Sequence, residues 1–400
     1  FLIVTFTTAA AAEMRARISA KRADLSEANP GDRHLRAQTA RINTAEICTI
    51  DAFCAGLVRE NFETLGIERD FSVLDTPDAQ VLQHEALANV LEPRYDARSS
   101  AFTRLIELLS GAKNTQAFEK TVQELYSYIM VQADPLNWLQ QMCVLYDPEN
   151  ESGPARWCEI LQRDYEGGLQ YACNMYASIR ASLTPDDCMF DGYSALIERE
   201  EAFLKKLQAQ LGSLAACRDL VQNFSMESMP RSPKGYTSPV KAALSAVRKF
   251  VKDNILNAPY LQIDLQQARE DMDYLYPCVC ELYEIVRDYS AELLRLKKEQ
   301  NAYEFSDIAQ FALSLVADFS GETPRKTAFA QELSEKYDEI LVDEYQDTNR
   351  AQDFLFTCIS NGHNLFVVGD VKQSIYGFRL AMPEIFVDRL NSYFDYDPNE

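Results

Sequence analysis

Glu339-Ile340-Leu341-Val342-Asp343-Glu344-Tyr345-Gln346-Asp347-Thr348-Asn349 is the stretch on which the reading of this 400-residue chain turns. It begins as a short apolar run and ends in two adjacent carboxylates. Such a run fits a buried strand of a parallel sheet. Asp343 and Glu344 then sit where the strand emerges, and in open α/β sheets ligands bind outside the carboxyl ends of the strands. The chemistry that fits is magnesium-assisted phosphoryl transfer: one carboxylate holds Mg²⁺, and its neighbour orients or deprotonates the attacking water. Two acids at a strand end also fit a plain solvated turn. A second stretch downstream bears on the choice.

Asn364-Leu365-Phe366-Val367-Val368-Gly369-Asp370 reads as another buried strand running into a Gly-Asp turn, followed by Lys372-Gln373-Ser374-Ile375-Tyr376-Gly377-Phe378-Arg379. Gln373 near a strand's carboxyl end is placed to hydrogen-bond a γ-phosphate or the attacking water. Tyr376, Phe378 and Arg379 offer two aromatic faces and a planar cation. That set suits stacking on unpaired bases, worth about 1–3 kcal/mol per base, with a phosphate contact beside it. The plainer alternative is a loop packing two aromatics into the core. At the chain's start, Phe6-Thr7-Thr8 follows the apolar run Phe1–Phe6 and precedes an Ala-rich helix whose free N–H groups can bind phosphate. A capped helix with a core Phe is the alternative there.

Composition is that of a folded globular protein, 47% hydrophobic and 25% charged. No apolar run approaches the roughly 20 residues needed to cross a bilayer. Ten scattered cysteines, without a C-x-x-C pair, and three histidines argue against a zinc site and for reduced thiols in a cytoplasmic protein. A net charge of −22 excludes a simple nucleic-acid coat. The first fifty residues run the other way, with seven Lys/Arg against five Asp/Glu, so a local cationic surface stays open.

The texture divides the chain at about residues 79 and 298. Residues 1–78 and 299–400 alternate strand-like and helical segments. In 79–298 glycine is sparse and apolar residues recur at helical spacing, as in Leu282, Ile285, Val286, Tyr289 and Leu293. Breaks are expected near Pro135, 147–154, 184–191 and 229–239. The economical arrangement is one discontinuous α/β domain, 1–78 with 299–400, carrying an all-helical insert over 79–298.

The pieces FLIVTFTTAAAAEMRARI (1–18), TIDAFC (49–54), EILVDEYQDTN (339–349) and VGDVKQSIYGFRLA (368–381) stand in the order of motifs Ia, Ib, II and III of the UvrD/Rep-like superfamily 1 DNA helicases. The chain resembles that family. Finer features, among them Phe71–Asp75, Phe305-Ser306-Asp307 and Leu380-Ala381, resemble its helicase/nuclease branch of AddA/RexA type. The resemblance implies a RecA-like P-loop NTPase motor that uses ATP and Mg²⁺ to move single-stranded DNA, 3′→5′. It further implies work on duplex ends in double-strand-break repair, paired with a B-type partner in a heterodimer. By position, Asp343 resembles the magnesium ligand, Glu344 the general base, and Gln373 the link from γ-phosphate to DNA, with Asp370 beside it in the nucleotide site. Phe6, Thr7, Tyr376, Phe378 and Arg379 resemble the single-strand track, and Thr49 and Phe53 a segment touching the DNA backbone.

Three departures stand out. Position 51 is Asp where the family has His, and Phe378 replaces a Trp common among relatives. No G-x-x-x-x-G-K-[ST] occurs in the 400 residues. The expectation is therefore a fragment. The phosphate-binding loop would precede Phe1, a second motor domain and a nuclease would follow Glu400, and the piece alone would not hydrolyse ATP. A UvrD/Rep-type helicase without nuclease, and a helicase-like scaffold without turnover, are the alternatives.

Overall fold

The computed structural model describes residues 1–29, 31–32, 45–110, 115–150, 152–321, 323–375, 377 and 380–393. Their strands are β1 (Leu2–Thr5), β2 (Glu46–Thr49), β3 (Ser72–Val73), β4 (Ala302–Tyr303), β5 (Ala317–Asp318), β6 (Arg325–Lys326), β7 (Ile340–Val342) and β8 (Leu365–Val367). Four of them make a parallel sheet of order β2-β1-β7-β8. Leu2 pairs with Glu46 on one side and Ile340 on the other, and Ile340 pairs in turn with Leu365. The Glu339–Val342 run thus forms a central strand, as its apolar character requires: Ile340 and Val342 are fully buried.

Helix starts follow local chemistry. The Thr7 hydroxyl accepts from Ala10 N–H to open Thr8–Ala28, and Thr49 does the same through Ala52 N–H for Ile50–Glu60. Asp75 caps Thr76–Ala97, and Thr327 caps Ala328–Lys336. One expectation is corrected. The sequence reads Phe305-Ser306-Asp307 as a cap for a helix over 308–319, but the triplet lies inside one, Phe305–Val316. Glu304 is its cap, and Asp307 closes a reciprocal capping box onto the Glu304 N–H. The chain then leaves the helix to pair β5 antiparallel with β6. The sequence also reads as helical over 34–43, a stretch that lies outside the described residues.

By contacts the chain forms two compact units, Phe1–Gln141 with Cys278–Glu400, and Met142–Pro277. The first holds the sheet. Its main core gathers Leu2, Val4, Ile340 and Val342 with the helices 50–60, 305–316 and 350–359. A second core in the same unit is wholly helical, drawn from residues 82–139 and 278–296. The other unit is helical around Leu169, Tyr176, Tyr193, Leu204 and Leu244. The expected breaks near 147–154, 184–191 and 229–239 each run into a helix start, Ser152, Phe190 and Pro239, and Pro135 likewise begins a helix after the one ending at Ile129. β3 pairs with β4 in parallel, Ser72 beside Ala302, so the chain enters and leaves residues 79–298 at neighbouring points. Among the described residues no helix is long and apolar enough to cross a membrane, and all ten cysteines are free.

Candidate functional site

The carboxyl end of β7 is held from both sides. Asp343 N–H donates to Val4 O of β1 (3.0 Å), and Val368 N–H, just past β8, donates to Val342 O (2.9 Å). Tyr345 N–H then donates to Val368 O (2.8 Å). Between these anchors Glu344 takes the left-handed conformation, φ 55° and ψ 41°. For a residue with a Cβ that costs about 1–2 kcal/mol, and such strain persists only where the surroundings impose it. Here the buried Tyr345 imposes it from below. Its hydroxyl donates to Asp353 Oδ1 (2.5 Å), which also accepts from Arg389 Nε (2.8 Å), and the chain closes into a tight turn over Tyr345–Asp347.

The Asp343 carboxyl is pushed up from its ordinary value, first by burial and further by the charge of Glu344, against a hydrogen bond from the Glu344 backbone. Among the described residues no cationic side chain figures in the groups acting on it. A divalent cation would offset both upward effects, so the position fits a magnesium ligand. Among the described residues no three His, Cys, Asp or Glu converge into a cage. Mg²⁺ bound by one or two carboxylates together with substrate phosphates needs none.

Beside this end lies the turn after β8. The Asp370 carboxylate accepts from Lys372 N–H and from Gln373 Nε2 (both 3.0 Å), which holds it below its ordinary range, the Gln373 bond contributing most. Gln373 is exposed and keeps one amide hydrogen and its Oε1 for another partner. Asp343, Glu344, Asp370 and Gln373 therefore lie at the ends of two adjacent parallel strands.

Two residues that sequence reasoning passed over tie the strand ends together. Gln346, fully buried, donates through Nε2 to Glu344 Oε2 (2.6 Å) and accepts at Oε1 from Asp370 N–H (3.0 Å). Ser374 donates to Asp347 Oδ1 (3.2 Å). Gly369 is obligatory in this packing, because a Cβ there would fall 2.5 Å from Gln346 Oε1 and 3.1 Å from its backbone N.

Phe6, Asp51 and Asp347 line a cleft of about 380 Å³ together with Phe305, Ser306 and Asn349. Phe305 is 53% exposed, an aromatic face beside the expected one that the sequence offered only as part of a capping signal. Thr7 and Thr49 stand at helix starts near this end of the sheet, with their hydroxyl oxygens already accepting the capping N–H groups. Phe53 corrects an expectation. It is 6% exposed and packs edge-on to Tyr337 (6.5 Å) in the main core. The helix 50–60 turns Phe53, Cys54, Leu57 and Val58 toward the sheet, so its ring is part of the core. Phe53→Leu is accordingly expected to lower stability by about 1–2 kcal/mol in urea titration and to leave DNA affinity unchanged. Tyr376, Phe378 and Arg379 lie outside the described residues.

The parallel sheet thus brings an acidic pair and a glutamine-bearing turn to adjacent strand ends, with an aromatic cleft beside them. The UvrD/REP helicase N-terminal domain matches residues 1–393, and the chain belongs to that family. It is similar to proteins named as the A-type component of an ATP-dependent helicase/nuclease. That of Clostridium acetobutylicum is 31% identical over 98% of this chain and 33% of the relative. That of Ruminiclostridium cellulolyticum is 30% identical over 98% and 32%, and that of Staphylococcus saprophyticus 29% over 98% and 32%. The chain spans about a third of the length of these relatives.

Proposed function

We propose that this chain is the first motor domain of an ATP-driven DNA helicase, the A-type component of a helicase/nuclease, acting in the cytoplasm on DNA ends in double-strand-break repair. One observation carries this reading. The acidic pair after β7 and the Gln373 turn after β8 are hydrogen-bonded into one unit through Gln346, and the Phe6–Phe305 cleft shares Asp347 with it. Nucleotide chemistry and a single-strand track would thus meet on one turn.

In this reading the fold is a RecA-like P-loop NTPase domain with residues 79–298 inserted. The β3–β4 pairing supports it by setting the two ends of that stretch side by side. ATP would lie at the ends of β7 and β8. Asp343 would hold Mg²⁺, directly or through water, and the ion would neutralise phosphate charge. Glu344 would take a proton from the attacking water, and the free amide hydrogen of Gln373 would donate to the γ-phosphate. Phe6 and Phe305 would stack on unpaired bases, with Thr7 and Thr49 near the strand's backbone. The relatives' name, one lettered component of a helicase/nuclease, favours a B-type partner and a nuclease elsewhere in the complete protein.

ATP hydrolysis by the complete protein, followed with and without single-stranded DNA, tests this. The rate is expected to rise on the order of tenfold with the DNA. A rate indifferent to it would overturn the helicase reading in favour of a scaffold.

A further inference from the structure

Gln346 commits both amide hydrogens and its carbonyl oxygen to the site. Oε1 accepts from Asp370 N–H (3.0 Å), while the two amide hydrogens serve Glu344 Oε2 (2.6 Å) and Asp347 Oδ2 (3.4 Å). The amide's orientation is dictated by its partners. A backbone N–H can only donate and an ionised carboxylate can only accept, so the oxygen must face Asp370 and the nitrogen the acids. The side chain is fully buried, and Gly369 leaves the space that its oxygen fills.

Glu344 needs such a partner. Its backbone is left-handed and its side chain leaves from a strained turn. A base displaced by about 1 Å loses on the order of 10²-fold in rate. Gln346 grips the carboxylate at one end and the turn carrying Gln373 at the other, so a shift of that turn pulls on the base.

We propose that Gln346 is a positioning residue that aims the Glu344 carboxylate and makes its aim depend on the Gly369–Gln373 turn. This rests on the assignment of Glu344 as base, and it adds the route by which the turn after β8 reaches that base.

The test uses the complete protein with two replacements at 346, each assayed for DNA-stimulated ATP hydrolysis across pH. Gln346→Met fills the same space without hydrogen bonds. It is expected to lower kcat roughly 10- to 100-fold, with KM for ATP within about twofold, and to keep the wild-type pH profile. Gln346→Glu still accepts from Asp370 N–H but sets a third carboxylate against Glu344 and Asp347, with Asp370 and Asp343 close by. The added negative charge is expected to repel the Glu344 carboxylate and to lower kcat at least as far as Met does, with KM for ATP again within about twofold. Gly369→Ala, whose Cβ displaces the Gln346 oxygen, is expected to reproduce the Met phenotype without altering residue 346.

The proposal is overturned if Met and Glu variants both keep kcat within about twofold of wild type. It is overturned equally if the lost kcat in both variants is matched by a comparable rise in KM for ATP, the mark of a collapsed site and not of a misaimed base. Glu344→Gln in the same assay separates the two layers. Lost turnover there, with unaffected 346 variants, sinks the positioning role alone; retained turnover sinks both.

Discussion

Glu344→Gln is expected to stop DNA-stimulated ATP hydrolysis by the complete protein, lowering kcat by roughly 10²–10⁴-fold, while ATP binding persists. The replacement is nearly isosteric. A glutamine at 344 can still accept the Gln346 amide hydrogen through its carbonyl oxygen, so the turn keeps its contacts. What it loses is the ability to hold a proton taken from water. Asp343, the proposed magnesium ligand, remains, and the binding of Mg-ATP is expected to remain with it. Binding followed by a fluorescent nucleotide, against turnover followed by phosphate release, separates the two steps. Turnover within about threefold of wild type would remove Glu344 as the base. A parallel loss of binding would say instead that the side chain is a ligand of the nucleotide.

Features fixed within a few residues of sequence were legible in advance. β7 reads as a buried strand because three apolar residues end at a polar turn, and it is one; β8, with four apolar residues, reads the same but is an edge strand among the described residues, with Phe366 56% and Val368 47% exposed. Thr7 announced a helix start because a cap needs only the next three residues. The placement of Asp343, Glu344, Asp370 and Gln373 at neighbouring strand ends followed from strand order. What was illegible depends on distant partners or on backbone hand. Gln346 looks like any polar residue of a turn until the left-handed Glu344 and the Asp370 N–H, 24 positions away, fix its amide. Phe53 lies in a motif segment, yet its place on the helix turns it inward, one residue before Cys54 and four before Leu57. Lys297 stands among charged neighbours at a helix end, where nothing local sets it apart, and it is completely buried.

Lys297→Met is expected to destabilise the sheet-bearing unit by about 3–5 kcal/mol. The Lys297 ammonium lies 2.5 Å from Asp307 Oδ2 and 2.7 Å from Glu304 Oε2, near the Tyr126 ring. Glu304 is a quarter exposed and can turn to water; Asp307 cannot, since it is 3% exposed and its carboxylate also closes the capping box on Glu304 N–H. Methionine keeps the length of the side chain and removes the charge, so the loss is electrostatic and not a cavity. Burial already raises the Asp307 carboxyl above its ordinary value, with Lys297 opposing, and without the lysine it rises further. A carboxyl with a folded pKa above its unfolded value destabilises the fold as pH climbs through the folded value, and the penalty vanishes below the unfolded one. The gap between variant and wild type should therefore be widest near neutral pH and narrow as the pH falls toward the ordinary carboxylate range. Urea titrations at several pH values measure it. Lys297→Met with Asp307→Asn is the control, because asparagine keeps an acceptor for the Glu304 N–H and carries no charge. The double variant should recover most of the loss and lack the pH dependence. Additive losses would show that Lys297 stabilises the fold by packing and not by answering Asp307.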